Sequence, residues 1–117
     1  MAKSLRDEIN ILHAQVCSGL ADPNRILILY TLADKPHNVS DMASILEIPQ
    51  PTVSRHLKIL RERSMVNAER DGQSVFYSLA DERIITALDL LRAMLADSLE
   101  SQVDLARSAS ESMRADE

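Results

Sequence analysis

Residues 48–79, IPQPTVSRHLKILRERSMVNAERDGQSVFYSL, decide the fold. Val53, Leu57 and Leu60 recur at steps of four and three, the spacing of one helical face. Pro51 stands just ahead of them, where the N–H it lacks would have had no helical partner. The spacing predicts a helix from Gln50 to about Arg63. Val66 to Arg70 and Ser74 to Leu79 then read as strands joined at Asp71-Gly72, a dipeptide suited to the positive φ of a two-residue hairpin turn. Upstream, Ser40 is read as the cap of a short helix carrying Met42, Ala43, Ile45 and Leu46, with Glu47-Ile48-Pro49 as the turn. A short helix, a tight turn, a second helix and a ribbon make a winged helix-turn-helix, mainly α with a small β-hairpin. Its second helix has the form that enters a DNA major groove.

The flanks extend this frame. Leu5, Ile9, Leu12, Val16 and Leu20 form one apolar stripe on a first helix. Asp22-Pro23 reads as the cap and first turn of a second helix, whose Ile26, Leu27, Leu29, Tyr30 and Leu32 are dense enough to be core. Residues 34–38, DKPHN, break it, leaving His37 in a solvated loop. From Asp81 a final helix is expected to run to residue 100 or somewhat beyond. Ile84, Leu88, Leu91, Leu95 and Leu99 form one stripe on it, and Ala87, Leu90 and Met94 another. A surface helix needs one apolar stripe, so two imply a partner. A homodimer is expected, with Leu5, Ile9, Leu12, Val16, Leu88, Leu91, Leu95 and Leu99 in its interface. One domain is read over residues 1–106, and the polar residues 107–117 as a frayed tail.

The whole chain of 117 residues carries a net charge of −5, which argues superficially against DNA. The charge is unevenly placed. Residues 50–70 hold five cations against two acids, while residues 81–117 hold nine acids against four arginines. Phosphate attraction is local, because salt screens it beyond about 8–10 Å, so a basic patch on an acidic body suits a duplex. No apolar run approaches the roughly 18 residues of a membrane span. The first residues carry acids where a secretory signal would be apolar. The lone Cys17 forms no internal disulfide, which fits a reducing cytoplasm.

On the predicted Gln50 helix, Arg55 and Lys58 fall opposite the apolar face, with Thr52 and Ser54 on its flanks. Gln50 and Pro51 stand at the N-terminal end, which points into the groove in such docking. Glutamine can bond an adenine edge through two atoms, and arginine a guanine edge. His56 is placed beside this face, bonding a phosphate or a neighbouring side chain. Arg70 and Gln73 flank the hairpin turn and are assigned to backbone or minor-groove contact.

Residues 20–79 resemble the ArsR/SmtB family of bacterial winged-helix repressors. LADPNRILILYTL is similar to the family's second helix, QPTVSRHLKILRERSMV to its recognition helix and following strand, and ERDGQSVFYSL to its wing. The resemblance implies a homodimer built from the first and last helices, bound to a palindromic operator and released by a ligand. It also implies that Gln50, Thr52, Ser54 and Arg55 read bases. Two metal patterns of the family are not matched. The stretch His37-Asn38-Val39-Ser40-Asp41 has no thiol, and soft metal ions need thiolates. On the last helix Asp81 and Asp97 are present, but Arg83 and Met94 stand where imidazoles belong. No cofactor is expected, and the small-molecule inducer is unidentified.

His13 and Cys17, spaced i, i+4, share a helical face and are the remaining sensor candidate. Packing, thiol chemistry and half of a shared metal site all fit them, packing best, because free cysteine is a common small hydrophobe. An enzyme is disfavoured, since no glycine-rich phosphate loop occurs and no nucleophile beyond this pair has an evident base. The alternative to a DNA-binding regulator is a winged-helix protein-interaction module.

Overall fold

The computed structural model describes residues 4–115. In chain order it contains α1 (Leu5–Leu12), a π-helical segment (His13–Cys17), α2 (Pro23–Asp34), α3 (Val39–Leu46), α4 (Gln50–Glu62), β1 (Val66–Asp71), β2 (Ser74–Leu79) and α5 (Arg83–Ala115). The chain divides after Glu82 into two compact units. In the first, α4 packs on α2, α3 and β1, and α2 also meets β2. Ile28 and Leu29 of α2, Met42 of α3, and Val53, Leu57 and Leu60 of α4 are all fully buried, with Val66 of β1 beside them. These residues are aliphatic or thioether side chains, so this part of the α4 contact is held by close packing.

Local chemistry sets the element ends. Asp22 accepts the Asn24 N–H at 2.8 Å and Pro23 fills the first turn of α2. The third helix starts earlier than Ser40 would place it. Asn38 accepts the Asp41 N–H at 2.8 Å and is the N-cap, and Ser40 lies inside the helix. Both residue types cap well, so the sequence does not separate them. Glu47, at φ 56°, closes α3 in the left-handed region, and Pro49 precedes α4 as its N-cap. At the other end of α4, Ser64 sits at φ 59°, and the Met65 N–H reaches the Leu60 carbonyl at 2.9 Å.

β1 and β2 pair antiparallel from Val66↔Leu79 to Asp71↔Ser74. The two-residue loop is therefore Gly72-Gln73, one position later than Asp71-Gly72. Gly72 takes φ 66° at the first central position, as a type II′ turn requires. His37 is not in a solvated loop. Its N–H and carbonyl pair with Tyr77 at 3.1 and 2.8 Å, adding a one-residue bridge to β2 and burying the ring. A single bridging pair has no alternation for a pattern to reveal.

The first apolar stripe does not run on a regular helix to Leu20. Ser18 N–H bonds the His13 carbonyl at 3.0 Å, a π-helical closure that displaces later residues from the 100° progression. In the second unit, α5 continues through Ala115, beyond residue 106, where the domain was expected to end. No glycine or proline follows Asp81 to stop it. Residues 116–117 of the expected tail lie outside the described residues. No helix among those described is long and apolar enough to cross a membrane.

Candidate nucleic-acid interface

The α4 helix separates its residues by chemistry as the 3.6-residue period separates them in space. Val53, Leu57 and Leu60 are buried; Gln50, Pro51, Ser54, Arg55 and Lys58 are exposed, and Thr52 is half-buried. The first turn follows Pro49, whose carbonyl accepts from the N–H groups of Thr52 and Val53 at 3.0 and 3.1 Å. A helix start presents the positive end of the backbone dipole, and the cations Arg55 and Lys58 lie one and two turns further along. Arg70 is exposed on β1, opposite Val75, and Gln73 is exposed in the hairpin loop.

His56 departs from the sequence expectation. It is 5% exposed and faces inward with Val53, Leu57 and Leu60, so it does not belong to the solvent-facing set. The spacing 53, 56, 57, 60 carries that signal, although the polarity of histidine hides it. Its partner is Arg25 of α2, whose guanidinium approaches His56 Nδ1 at 3.3 Å. The same guanidinium donates from Nε to the Gly19 carbonyl at 2.8 Å and to the Ser18 carbonyl at 3.3 Å. Arginine has no acceptor, so Nδ1 must accept and the imidazole proton sits on Nε2. Desolvation holds the His56 pKa below its ordinary value near 6.5, with the charges of Arg25 and Arg55 adding to the lowering and Asp22 opposing it.

Arg63, which ends α4, donates to the Ala14 carbonyl. Arginines thus hold the π-helical segment at Ala14 and the start of the link to α2 at Ser18 and Gly19. Gly19 is buried at that link, where a Cβ would come 2.7 Å from Met65 Sδ and 3.1 Å from Arg63 Cδ. Sequence reading missed Arg25. The available signal was a cation in the first turn of a helix, where the dipole disfavours it unless an acceptor lies nearby.

His13 and Cys17 are both exposed, at the two ends of the π-helical segment. No group of three or more His, Cys, Asp or Glu residues that could hold a metal ion occurs among the described residues. Of the residues assigned to a partner contact, Leu5, Ile9, Leu12, Leu91, Leu95 and Leu99 are exposed, Val16 is half-buried and Leu88 is buried.

Comparison with known proteins gives concordant results. The family model described as "Bacterial regulatory protein, arsR family" matches residues 22–68, from the cap of α2 into β1. The HTH-type transcriptional repressor SmtB of Mycobacterium tuberculosis is 40% identical over 70 residues, 60% of this chain and 52% of the relative. Across three such curated relatives the match spans 52% to 62% of their own length. The crystal structure of Rv0081 from M. tuberculosis superposes with a TM-score of 0.72 at 31% identity, covering 87% of this chain and 99% of that one. The homodimeric winged helix-turn-helix DNA-binding domain of Mb0332 from Mycobacterium bovis superposes at 0.71 with 28% identity, covering 86% of this chain and 94% of that one.

Proposed function

The chain belongs to the arsR family of bacterial regulatory proteins, and on that premise we propose that it is a homodimeric DNA-binding transcriptional regulator. In the finer reading it represses from a palindromic operator and is released by a signal. The observation that carries the proposal is the division of α4: a fully buried aliphatic face behind an exposed face of Gln50, Ser54, Arg55 and Lys58. Such a helix is rigid where it meets its own domain and hydrogen-bonding where it meets a groove. Gln50, Thr52, Ser54 and Arg55 contact base edges; Pro51 sets the entry of the helix, and Lys58, Arg70 and Gln73 meet the sugar-phosphate backbone. His56 supports the helix from behind.

A second copy covers the apolar residues that α1 and α5 leave exposed, and a two-fold dimer places two α4 helices on two half-sites. The name of the M. bovis neighbour describes a homodimer, and that of the M. tuberculosis relative a repressor, which supports both parts of the reading. Residues 1–106 act as the DNA-binding and dimerisation domain.

Fluorescence anisotropy on a duplex from upstream of its own gene tests the proposal. Binding should weaken with salt at a log–log slope of about −0.9 per phosphate contacted. Arg55→Ala should weaken specific binding by about 1–3 kcal/mol while circular dichroism and sedimentation stay those of the wild type. Normal affinity in that variant sinks the assigned face, and no duplex binding at low salt favours a protein-docking module.

A further inference from the structure

The link at Ser18 and Gly19 lies outside the proposed reading face, yet Arg25 joins it to α4. Arg25 bonds the Ser18 and Gly19 carbonyls with two of its nitrogens and His56 Nδ1 with the third. His56 is buried and next in sequence to the exposed Arg55. We propose that Arg25 is a positioning residue that locks the reading face through His56, and that protonation of His56 opens the lock and lowers DNA affinity. This inference rests on the reading of α4 as a DNA-reading helix.

The chemistry of the lock is one-sided. Neutral His56 offers Nδ1 as an acceptor; protonated His56 has two donors and none to give Arg25. The charged groups that face it are Arg25 on α2, Asp22 at the cap of α2 and Arg55 on its own helix, two cations against one acid. A proton therefore converts a hydrogen bond into a repulsion beside three fully buried aliphatic side chains, and a charge there must move toward water. Relief requires Arg25 to withdraw from the imidazole or α4 to turn. A turn of α4 swings Arg55, one residue away, off its base edge.

The sign follows from the lowered pKa of His56. The unfolded chain binds the proton near pH 6.5 and the folded chain only at lower pH. The contribution of neutral His56 is complete above 6.5 and is lost as pH falls through the folded value.

The test combines nitrogen-15 NMR of the full-length protein with anisotropy on the upstream duplex, both as a function of pH. The wild-type imidazole should show the Nε2-protonated tautomer at neutral pH. Its titration should move the Ser18, Gly19 and Arg55 amide signals with one common midpoint. Affinity should fall toward about tenfold per pH unit below that midpoint for each His56 that must lose its proton. His56→Asn keeps an acceptor near the Nδ1 position without titrating, so whatever its affinity at neutral pH, the acid limb should be lost. Arg25→Lys keeps the charge but not the fork; it should uncouple Ser18 and Gly19 from His56 even where His56→Asn folds poorly. Titration of His56 without movement at Ser18 and Gly19 overturns the lock, as does an acid limb retained in a folded His56→Asn. Absence of duplex binding at every pH would instead overturn the regulator reading, while the NMR arm still decides the coupling.

Discussion

The α4 helix and the α1 and α5 helices are all amphipathic, but only α4 is complete within one chain. Its Val53, Leu57 and Leu60 are 0% exposed, whereas Ile9, Leu12, Leu91, Leu95 and Leu99 each keep about half of their surface in water. At about 25 cal/mol per Å² of apolar surface, leaving five such residues uncovered forgoes several kcal/mol. The difference separates two tasks. A helix whose apolar side is satisfied at home can devote its other side to a ligand, while open apolar stripes are what the proposed second copy would cover.

The comparison breaks most severely at the core. Leu57→Ala removes a fully buried side chain from the centre of the α4 packing, and urea unfolding should show a loss of about 2–5 kcal/mol. The same truncation at Leu91, exposed on α5, should cost the isolated chain far less. Equal losses at the two positions would mean that the exposed stripe is already covered.

Next in size is the partner contact. Leu95→Glu puts a charge in the middle of the α5 stripe, and burying it unpaired in an interface is costly. Sedimentation velocity should show the dimer dissociation constant raised by about a hundredfold or more, near 2.7 kcal/mol. The monomer should keep its helicity and the α4 packing. Unchanged association would remove α5 from the interface. The reading face should respond more gently. Lys58→Ala should weaken all duplexes alike and reduce the salt slope by about 1, whereas Arg55→Ala should cost about 1–3 kcal/mol on the operator and relax its sequence preference. Matching profiles for the two variants would contradict the division between base and phosphate contacts.

How far the sequence showed all this depends on whether a feature repeats. Periodic features were legible: the Val53, Leu57, Leu60 face, the Asp22-Pro23 start and the Val66–Leu79 hairpin each rest on spacing or on a strong local dipeptide. Single events were not. The His37–Tyr77 bridge is one residue pair, and the π-helical turn at His13–Cys17 has no composition of its own. His56 was misplaced because residue type was weighed above spacing, although its position between Val53 and Leu60 is a core position. Arg25 offers the sequence only its unusual place in the first turn of α2, because its three acceptors come together only in the fold. Residues 107–115 are mostly polar and carry no clear apolar stripe, yet α5 runs through them, with no glycine or proline to interrupt it.

The smallest effects lie at the turns, where they test whether the α4 unit is tuned independently of the partner surface. Ser64 ends α4 at φ 59°, a conformation that carries a steric cost for any residue with a Cβ. Glycine removes the cost but adds freedom to the unfolded chain, and at helix ends of this kind the first effect prevails. Ser64→Gly should therefore raise stability by about 0.5–1 kcal/mol. Gly72 also has a positive φ, 66°, with nothing within 4 Å of an added Cβ, so Gly72→Ala meets backbone strain alone and should destabilise by about 1 kcal/mol or more. Opposite signs at the two positions, with the dimer dissociation constant unchanged in both, would show that the unit containing α4 sets its own stability. A shift in that constant would mean instead that the turns bounding α4 and the wing communicate with the partner surface, and the division between the two regions would be one of degree.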